Sequence, residues 1–104
     1  MLFLVRIDID VPASVSVDRV KELTEAERQR AAELAAAGSL QRLWRDPTRW
    51  ANWGLWDAPD EVALLATIGT LPLRPFMTLA VHPVTNHSSD PPSVMPSLPR
   101  TEGS

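Results

Sequence analysis

Glu27 is the residue of this chain best suited to chemistry, because it stands where a long helix should be apolar. Residues 16–38 repeat apolar side chains at the helical period, and Glu27 falls near the middle of the resulting stripe. The other positions of the stripe are Val17, Val20, Leu23, Thr24, Ala31, Leu34 and Ala35. A carboxylate that faces a core is paired or hydrogen-bonded there, or it is desolvated, so that its raised pKa makes it a usable acid or base. In a purely structural role, Glu27 would be neutralised by Arg28 or Arg30 or would extend to solvent at the edge of the domain. The helical pattern leaves both interpretations open.

A cluster of arginines is a second candidate for chemistry in an otherwise acidic chain. Arg42, Arg45 and Arg49 lie in and just after the predicted second strand. A guanidinium binds a carboxylate through two parallel hydrogen bonds, so a cluster beside Trp44 would suit a small anionic acid of aromatic or lactone type. The same side chains are equally compatible with solvated charges that pair with nearby acidic residues and add little stability. The residue pattern does not decide between these interpretations.

Composition excludes several classes of protein. The chain has 104 residues and a net charge of -3. A chain of this length forms one domain, near the size at which dimerisation commonly adds buried surface. The negative charge argues against a binder of nucleic acid or of acidic membranes, because both require a basic surface.

Redox and metal chemistry have little support in the sequence. The chain has no cysteine and two histidines, His82 and His87. It therefore lacks a disulfide framework and a thiolate nucleophile, and carboxylates at metal-binding spacing do not accompany the histidines. We therefore expect a protein without a metal. No apolar run approaches membrane-spanning length, so we also expect a soluble, cytoplasmic protein.

The apolar pattern predicts strands and helices in the order β-α-β-β-α-β. The first strand, within residues 1–11, places Phe3, Val5 and Ile7 on one face and charged residues on the other. Ser16 is expected to cap the first helix and Gly38 to end it, since glycine readily adopts a left-handed conformation. Two strands follow at 40–45 and 50–56, joined by a turn at 46–49. Asp57 is expected to cap a second helix, which has Pro59 in its first turn and an apolar face of Val62, Leu65 and Ile68, and which runs to about Thr70. An irregular loop at 71–75 then leads to the last strand at 76–84. This order predicts a ferredoxin-like α+β fold, a four-stranded antiparallel sheet with two helices on one face.

Four tryptophans lie on or beside the second and third predicted strands. Alternation places Trp50 and Trp56 on the face opposite Trp53, while Trp44 belongs to the preceding strand. Aromatic clusters of this kind more often form a core or a dimer interface than a platform for a ligand. We therefore expect a homo-oligomer that hides the sheet face left free by the helices.

The character of the chain changes near its end. Four of the ten prolines lie between Pro91 and Pro99, among serines and acidic residues. Such a segment cannot bury enough apolar surface to fold alone. The expected organisation is a folded domain at residues 1–88 and a tail at 89–104, which is disordered or orders only as an arm against another subunit.

Several segments together resemble the muconolactone Δ-isomerase family over residues 1 to about 89. They are the opening Met-Leu-Phe-Leu-Val-Arg-Ile-Asp, the helix segment Glu25-Ala-Glu27-Arg28 with Glu33-Leu34 after it, the run Gly38-Ser-Leu-Gln-Arg-Leu-Trp-Arg45, then Trp50-Ala-Asn52-Trp, and Leu71-Pro-Leu-Arg-Pro75-Phe-Met. The resemblance implies a small dimeric α+β barrel that assembles into larger rings and uses neither a metal nor an organic cofactor. It also implies the isomerisation of an unsaturated lactone acid in the β-ketoadipate route of aromatic catabolism.

The resemblance also assigns expected roles to residues. Glu27 matches the family's helix glutamate and is expected to transfer the proton, and Arg28, where relatives usually carry Lys, to stabilise the oxyanion. Arg45 and Asn52 match family residues that bind the substrate. His87 matches a C-terminal histidine expected to approach a neighbouring subunit's site. The remaining expected substrate-binding residues are Arg42 and Trp44.

Some positions depart from the family pattern and keep other functions open. Arg42 stands where relatives often carry His or Tyr, and Trp50, Trp53 and Arg74 also differ from the usual residues. One alternative is therefore a relative that acts on another lactone or a polyketide-like compound in a biosynthetic pathway. A second is a non-catalytic dimeric barrel in which Glu27 is a paired structural charge. A cofactor-free monooxygenase of the wider barrel group has no support at the level of residues.

Overall fold

The computed structural model describes residues 1–94 of the chain. Its main elements are β1 (Leu2–Ile9), α1 (Val17–Ala36), β2 (Leu40–Arg45), β3 (Ala51–Asp57), α2 (Glu61–Ile68) and β4 (Met77–Val84), with a 3-10 helix at Arg74–Phe76 and a single helical turn, α3, at Pro91–Val94. This order confirms the predicted β-α-β-β-α-β arrangement. The predicted tail begins within this part, but residues 95–104 lie outside the described residues, so the prediction for the tail stays a prediction.

The four strands form one antiparallel sheet in the order β2-β3-β1-β4. Because directly opposed residues share a face, the register places the buried Phe3, Val5 and Ile7 beside Trp56, Gly54 and Asn52 of β3. This face packs against both helices, and we call it the helix face. The core that it forms with the helices and loops consists of Phe3, Val5, Ile7, Leu23, Leu34, Leu40, Trp56, Ala58, Leu64, Ile68, Leu71, Leu73 and Met77. The predicted ferredoxin-like fold is confirmed.

The other side of the sheet, which we call the open face, carries no helix from residues 1–94. Leu4, Arg6 and Asp8 of β1 lie there, opposite Leu55, Trp53 and Ala51 of β3. Trp53 is 36% exposed on this face, whereas Trp56 is 2% exposed on the helix face. The register thus confirms that the two tryptophans lie on opposite sides of the sheet. No helix among residues 1–94 is both long and apolar enough to cross a membrane.

The ends of α1 agree with the sequence. The Ser16 side chain accepts a hydrogen bond from the Arg19 backbone N–H at 3.1 Å, as an N-cap does. After α1, Gly38 has φ +87°, a left-handed conformation that side chains with a Cβ disfavour. The backbone N–H of Ser39 then donates to the carbonyl of Leu34, which closes the helix end.

The start and the buried face of α2 differ from the prediction. Asp60, not Asp57, is the N-cap, and its side chain accepts a hydrogen bond from the Ala63 N–H at 2.8 Å. Asp57 still belongs to β3 and pairs with the N-terminal amine at 3.0 Å, so the helix begins after Pro59. The buried face also differs from the predicted Val62, Leu65 and Ile68: Leu64 and Ile68 are buried, whereas Val62 is 79% exposed.

The turn between β2 and β3 is held by Asp46. Its Oδ1 accepts hydrogen bonds from the Thr48 hydroxyl at 2.7 Å and the Thr48 N–H at 2.8 Å. Its Oδ2 lies 2.9 Å from the Arg6 guanidinium on β1. The Thr48 hydrogen bonds, with a further contribution from Arg6, lower the pKa of the Asp46 carboxyl to about 2. Asp46 thus fixes the hairpin and ties it to the centre of the sheet.

Asp46→Ala should lower the thermal midpoint by several degrees at neutral pH, because both the turn and the contact with Arg6 lose their acceptor. A carboxylate with a depressed pKa contributes stability above its ordinary pKa, and this contribution is lost as pH falls through the folded-state value. The difference between the variant and the native chain should therefore narrow as pH falls from the ordinary 3.8 towards about 2. Thermal melts across this range provide the measurement. Asp10→Ala is the control, since Asp10 is exposed and has no ion pair within residues 1–94; equal losses in both variants would contradict this role of Asp46.

Candidate active site

Glu27 lies near the middle of α1 and points towards the 3-10 turn that precedes β4. Its Oε1 accepts a hydrogen bond from the Leu73 backbone N–H at 2.9 Å. The side chain is half-buried, on the same helix as the buried Leu23 and Leu34. The sequence prediction that Glu27 turns towards the interior is therefore confirmed. The hydrogen bond occupies one carboxylate oxygen, and Oε2 has no donor among the described residues.

Neither arginine that could neutralise Glu27 does so. The Arg28 guanidinium lies 2.6 Å from Glu25 and its side chain is 75% exposed. The Arg30 guanidinium lies 2.9 Å from Glu33 and also donates to the Thr70 hydroxyl. Within residues 1–94, Glu27 has no ion-pair partner, and the structure does not bring Arg28 to it.

The surroundings of Glu27 favour its protonated form. Partial burial removes water from the carboxylate and raises its pKa above the ordinary value. The hydrogen bond from Leu73 stabilises the ionised form and offsets part of this rise. A raised pKa makes the carboxylate a stronger base and moves its titration towards neutral pH, as a group that takes up and returns a proton requires.

Arg45 and Asn52 lie on the helix face, the side of the sheet that Glu27 approaches. They are directly opposed in the β2–β3 pair, and Asn52 is in turn opposed to the buried Ile7. With Leu43, Trp50 and Ala51 they line a cleft of about 290 Å³. The Asn52 Oδ1 is buried and has no donor among the described residues. The cleft thus combines a guanidinium, an amide and an indole on the side of the sheet where Glu27 lies.

Arg42 and Trp44 lie on the open face, away from Glu27. They are opposed to Leu55 and Trp53, and the Arg42 guanidinium stacks over the Trp44 ring at 4.9 Å from its centroid. The sheet therefore separates these two residues from the Glu27 of their own chain. Sequence reasoning placed them with Arg45 in one cluster, whereas the structure divides the cluster between two faces.

Arg49 takes part in a network of charges rather than in the cleft. Its guanidinium lies 3.2 Å from Asp8, which also pairs with Arg6 at 3.2 Å. Arg6 reaches Asp46 as well and lies over the Trp53 ring at 5.4 Å from its centroid. For Arg49, the structure favours the interpretation as a paired surface charge.

His87 follows β4 and lies in a different cleft, of about 240 Å³. This cleft is lined by Leu2, Leu55, Val84, Thr85, Asn86, His87 and Asp90. The His87 Nδ1 accepts a hydrogen bond from the Ser89 N–H at 2.8 Å. Because Leu2, Leu55 and Val84 belong to the open face, His87 does not lie with Glu27 in the single chain.

Sequence reasoning missed the group that holds Glu27, namely the backbone N–H of Leu73. Pro72 and Pro75 flank this position and indicated an irregular loop, because proline has no N–H and disfavours a continuous helix. Which amide of the loop faces the helix depends on its three-dimensional path, and no residue type signals it.

Among residues 1–94, no group of three or more acidic, cysteine or histidine side chains is arranged to hold a metal ion.

Comparison with known proteins agrees with the fold and with these elements. The sequence model of the muconolactone delta-isomerase family matches residues 1–90. Muconolactone Delta-isomerase of Pseudomonas aeruginosa is 33% identical, with 86% of this chain and 99% of that protein covered. The enzyme of the same name from Cupriavidus pinatubonensis is 30% identical, with 86% and 97% covered.

A solved structure gives the same result. The crystal structure of a muconolactone isomerase matches this fold with a TM-score of 0.79 and 31% sequence identity, over 86% of this chain and 93% of that one. The family match spans nearly all of the residues that the structure describes. The resemblance noted in the sequence is confirmed: this chain belongs to the muconolactone delta-isomerase family and is an isomerase.

Proposed function

We propose that this protein moves a ring double bond in an unsaturated lactone acid of the muconolactone type, with Glu27 as the group that transfers the proton. The observation that carries the proposal is the Glu27 carboxyl itself, which is half-buried, unpaired by any cation within residues 1–94, and held by one backbone N–H. The names of the relatives supply the substrate class. The expected product is the enol-lactone of 3-oxoadipate.

The reaction requires one proton to leave the ring and one to return. Glu27, through its free Oε2, takes the proton from the ring carbon that bears the carboxymethyl arm. The electrons of that C–H bond spread over the ring as a dienolate, and the negative charge collects on the carbonyl oxygen. The protonated Glu27 then returns the proton to the carbon next to the carbonyl, so the double bond has moved and no atom is gained or lost.

The cleft on the helix face supplies groups that fit the rest of such a substrate. The Arg45 guanidinium suits the carboxylate arm, because it can form two parallel hydrogen bonds with it. The Asn52 side-chain amide is a donor suited to a lactone oxygen. Arg28, which is exposed and bound to Glu25, has no part in this arrangement.

We also propose that two copies of the chain pack through their open faces. Leu4 and Leu55 are only partly covered there, and Trp44 is 43% exposed beside Trp53. Exposed apolar side chains grouped on one face of a sheet are normally hidden by a partner. In such an assembly Arg42, Trp44 and His87 serve the interface or the site of another subunit.

A relative that acts on a different lactone remains the alternative substrate assignment. The observation that favours it is Trp50, which departs from the family pattern and lines the cleft beside Arg45 and Asn52. Incubating the purified protein with muconolactone, and following the movement of the double bond by ultraviolet absorbance or NMR, distinguishes the two. Turnover supports the proposal, and complete inactivity on muconolactone would overturn this substrate.

Glu27→Gln should lower isomerase activity by about two to four orders of magnitude, because the amide keeps the shape but cannot accept the proton. Steady-state kinetics on muconolactone provide the measurement. Glu22→Gln is the matched control, since Glu22 is an exposed glutamate of the same helix that pairs with Arg19. A folded Glu27→Gln protein with nearly native turnover would refute the assignment of the base.

The same substitution should preserve or increase stability at neutral pH. A carboxyl whose folded-state pKa is raised contributes stability while it is protonated and loses that contribution as pH rises through the folded-state value. The advantage of Glu27→Gln over the native chain should therefore appear above the raised pKa and vanish as pH falls below the ordinary 4.5. Thermal melts between about pH 4 and pH 7 test this expectation. A Gln variant that is less stable at neutral pH would instead indicate a paired structural charge.

The protein should be at least a dimer in dilute solution. Leu4→Lys places a charge on the open face, between Leu55 and His82, and should lower the mass measured by light scattering. Val62→Lys is the control, because Val62 is exposed on α2 and away from this face. A native chain that is monomeric at micromolar concentration would contradict the proposal.

A further inference from the structure

The indole N–H of Trp56 is a buried donor without an acceptor. Trp56 is 2% exposed, and its Nε1 has no hydrogen-bond partner among the described residues. An indole nitrogen can only donate a hydrogen bond, so this N–H requires an acceptor such as an oxygen atom. Leaving such a group unpaired in an apolar interior is costly, which makes its presence on the helix face informative.

Gly54 is the residue that makes room for this indole. A Cβ at position 54 would lie 2.6 Å from the Trp56 Nε1, closer than side-chain carbons approach other atoms. Both residues lie on the helix face of β3, together with Asn52. The indole nitrogen therefore lies over Gly54, on the side of Trp56 that points back towards Asn52.

A second unpartnered polar atom lies on the other side of Gly54. The Oδ1 of Asn52 is buried and also lacks a partner among the described residues. A donor and an acceptor on either side of a glycine that do not bond each other are two buried polar groups left unsatisfied, and a polar molecule bound between them would satisfy both. Gly54 is near the middle of β3, as Glu27 is near the middle of α1, and both elements contribute to the helix face.

We propose that the Trp56 indole N–H donates a hydrogen bond to the carbonyl oxygen of the bound lactone, and that Gly54 is required to keep the indole in place. This inference rests on the proposed isomerase function and adds a substrate-binding residue to it. A single neutral donor in a dry site suits the carbonyl oxygen, on which negative charge grows as the ring proton leaves. The carboxylate arm carries a full charge and requires a cation, which Arg45 provides on the exposed edge strand.

Trp56→Phe removes the N–H and keeps an aromatic ring. On muconolactone, kcat should fall by roughly a hundredfold while KM changes much less, because the lost hydrogen bond is strongest when the charge has developed. Activity is compared per folded molecule at a temperature well below the melting transition. A Trp56→Phe protein that loses only stability, with native kcat, would overturn the inference.

Gly54→Ala provides a second test, because a merely structural role of Trp56 would not predict its effect on kcat. In the native background, the added Cβ should displace the indole nitrogen and lower kcat. In the Trp56→Phe background, the same change should add little, because the nitrogen is already absent. An equal kcat loss in both backgrounds would contradict a shared role of the two residues.

Indole-labelled protein reports the hydrogen bond directly. In full-length Glu27→Gln protein with ¹⁵N-labelled tryptophan, saturating muconolactone should move the Trp56 N–H proton resonance downfield. The other three resonances are assigned by Phe substitutions, so the test survives a Trp56→Phe variant that does not fold. An unmoved Trp56 resonance, with a native chain active on muconolactone, would overturn this inference alone. Inactivity of the native chain would instead overturn the proposed function.

Discussion

The arrangement of this protein depends on one hydrogen bond, which joins the Leu73 backbone N–H to the half-buried Glu27 carboxylate. A carboxylate removed from water without a cation is costly, and one backbone donor compensates only part of the penalty. An arginine partner would stabilise the charge but would also depress the pKa and make the group a poor base. Holding Glu27 with a neutral donor fixes its orientation while keeping its pKa raised.

The rest of the fold serves to maintain this environment. α1 carries Glu27 between the buried Leu23 and Leu34, so the packing of the helix directs this position towards the core. Four arginines are engaged elsewhere: Arg28 and Arg30 form ion pairs within α1, and Arg6 and Arg49 pair with aspartates outside the core. Arg45 remains in the cleft on the helix face, where a substrate carboxylate can use it. These ion pairs lie at the surface, whereas Glu27 and Arg45 have no ion-pair partner among the described residues.

Local signals in the sequence predicted much of this structure, because they act over a few residues. The Ser16 cap, the Gly38 terminus and the inward direction of Glu27 follow from helix chemistry and helical period. The predicted start of α2 was wrong, since both Asp57 and Asp60 can cap a helix and only the extent of β3 decides between them.

Alternation within β2 separates Arg42 and Trp44 from Arg45, but it does not give the correct face of the sheet for either group. Simple alternation would place Arg42 and Trp44 on the same face as the buried Leu40. An irregularity in the β2–β3 register between Leu40 and Arg42 shifts the pattern by one residue, so Arg42 and Trp44 reach the open face and Arg45 reaches the helix face. Such a shift depends on pairing between strands, as the choice of Leu73 as the donor to Glu27 depends on the path of a distant loop.

Titration of the Glu27 side chain tests whether this carboxyl is desolvated and, as among residues 1–94, unpaired with a cation. In protein labelled with ¹³C at the glutamate carboxyl, the Glu27 resonance can be assigned by its absence from a Glu27→Gln sample and followed against pH. The midpoint should lie clearly above the ordinary glutamate value of 4.5. A midpoint at or below that value would mean that a cation or additional donors stabilise the ionised Glu27, and Glu27 would then not be a desolvated base.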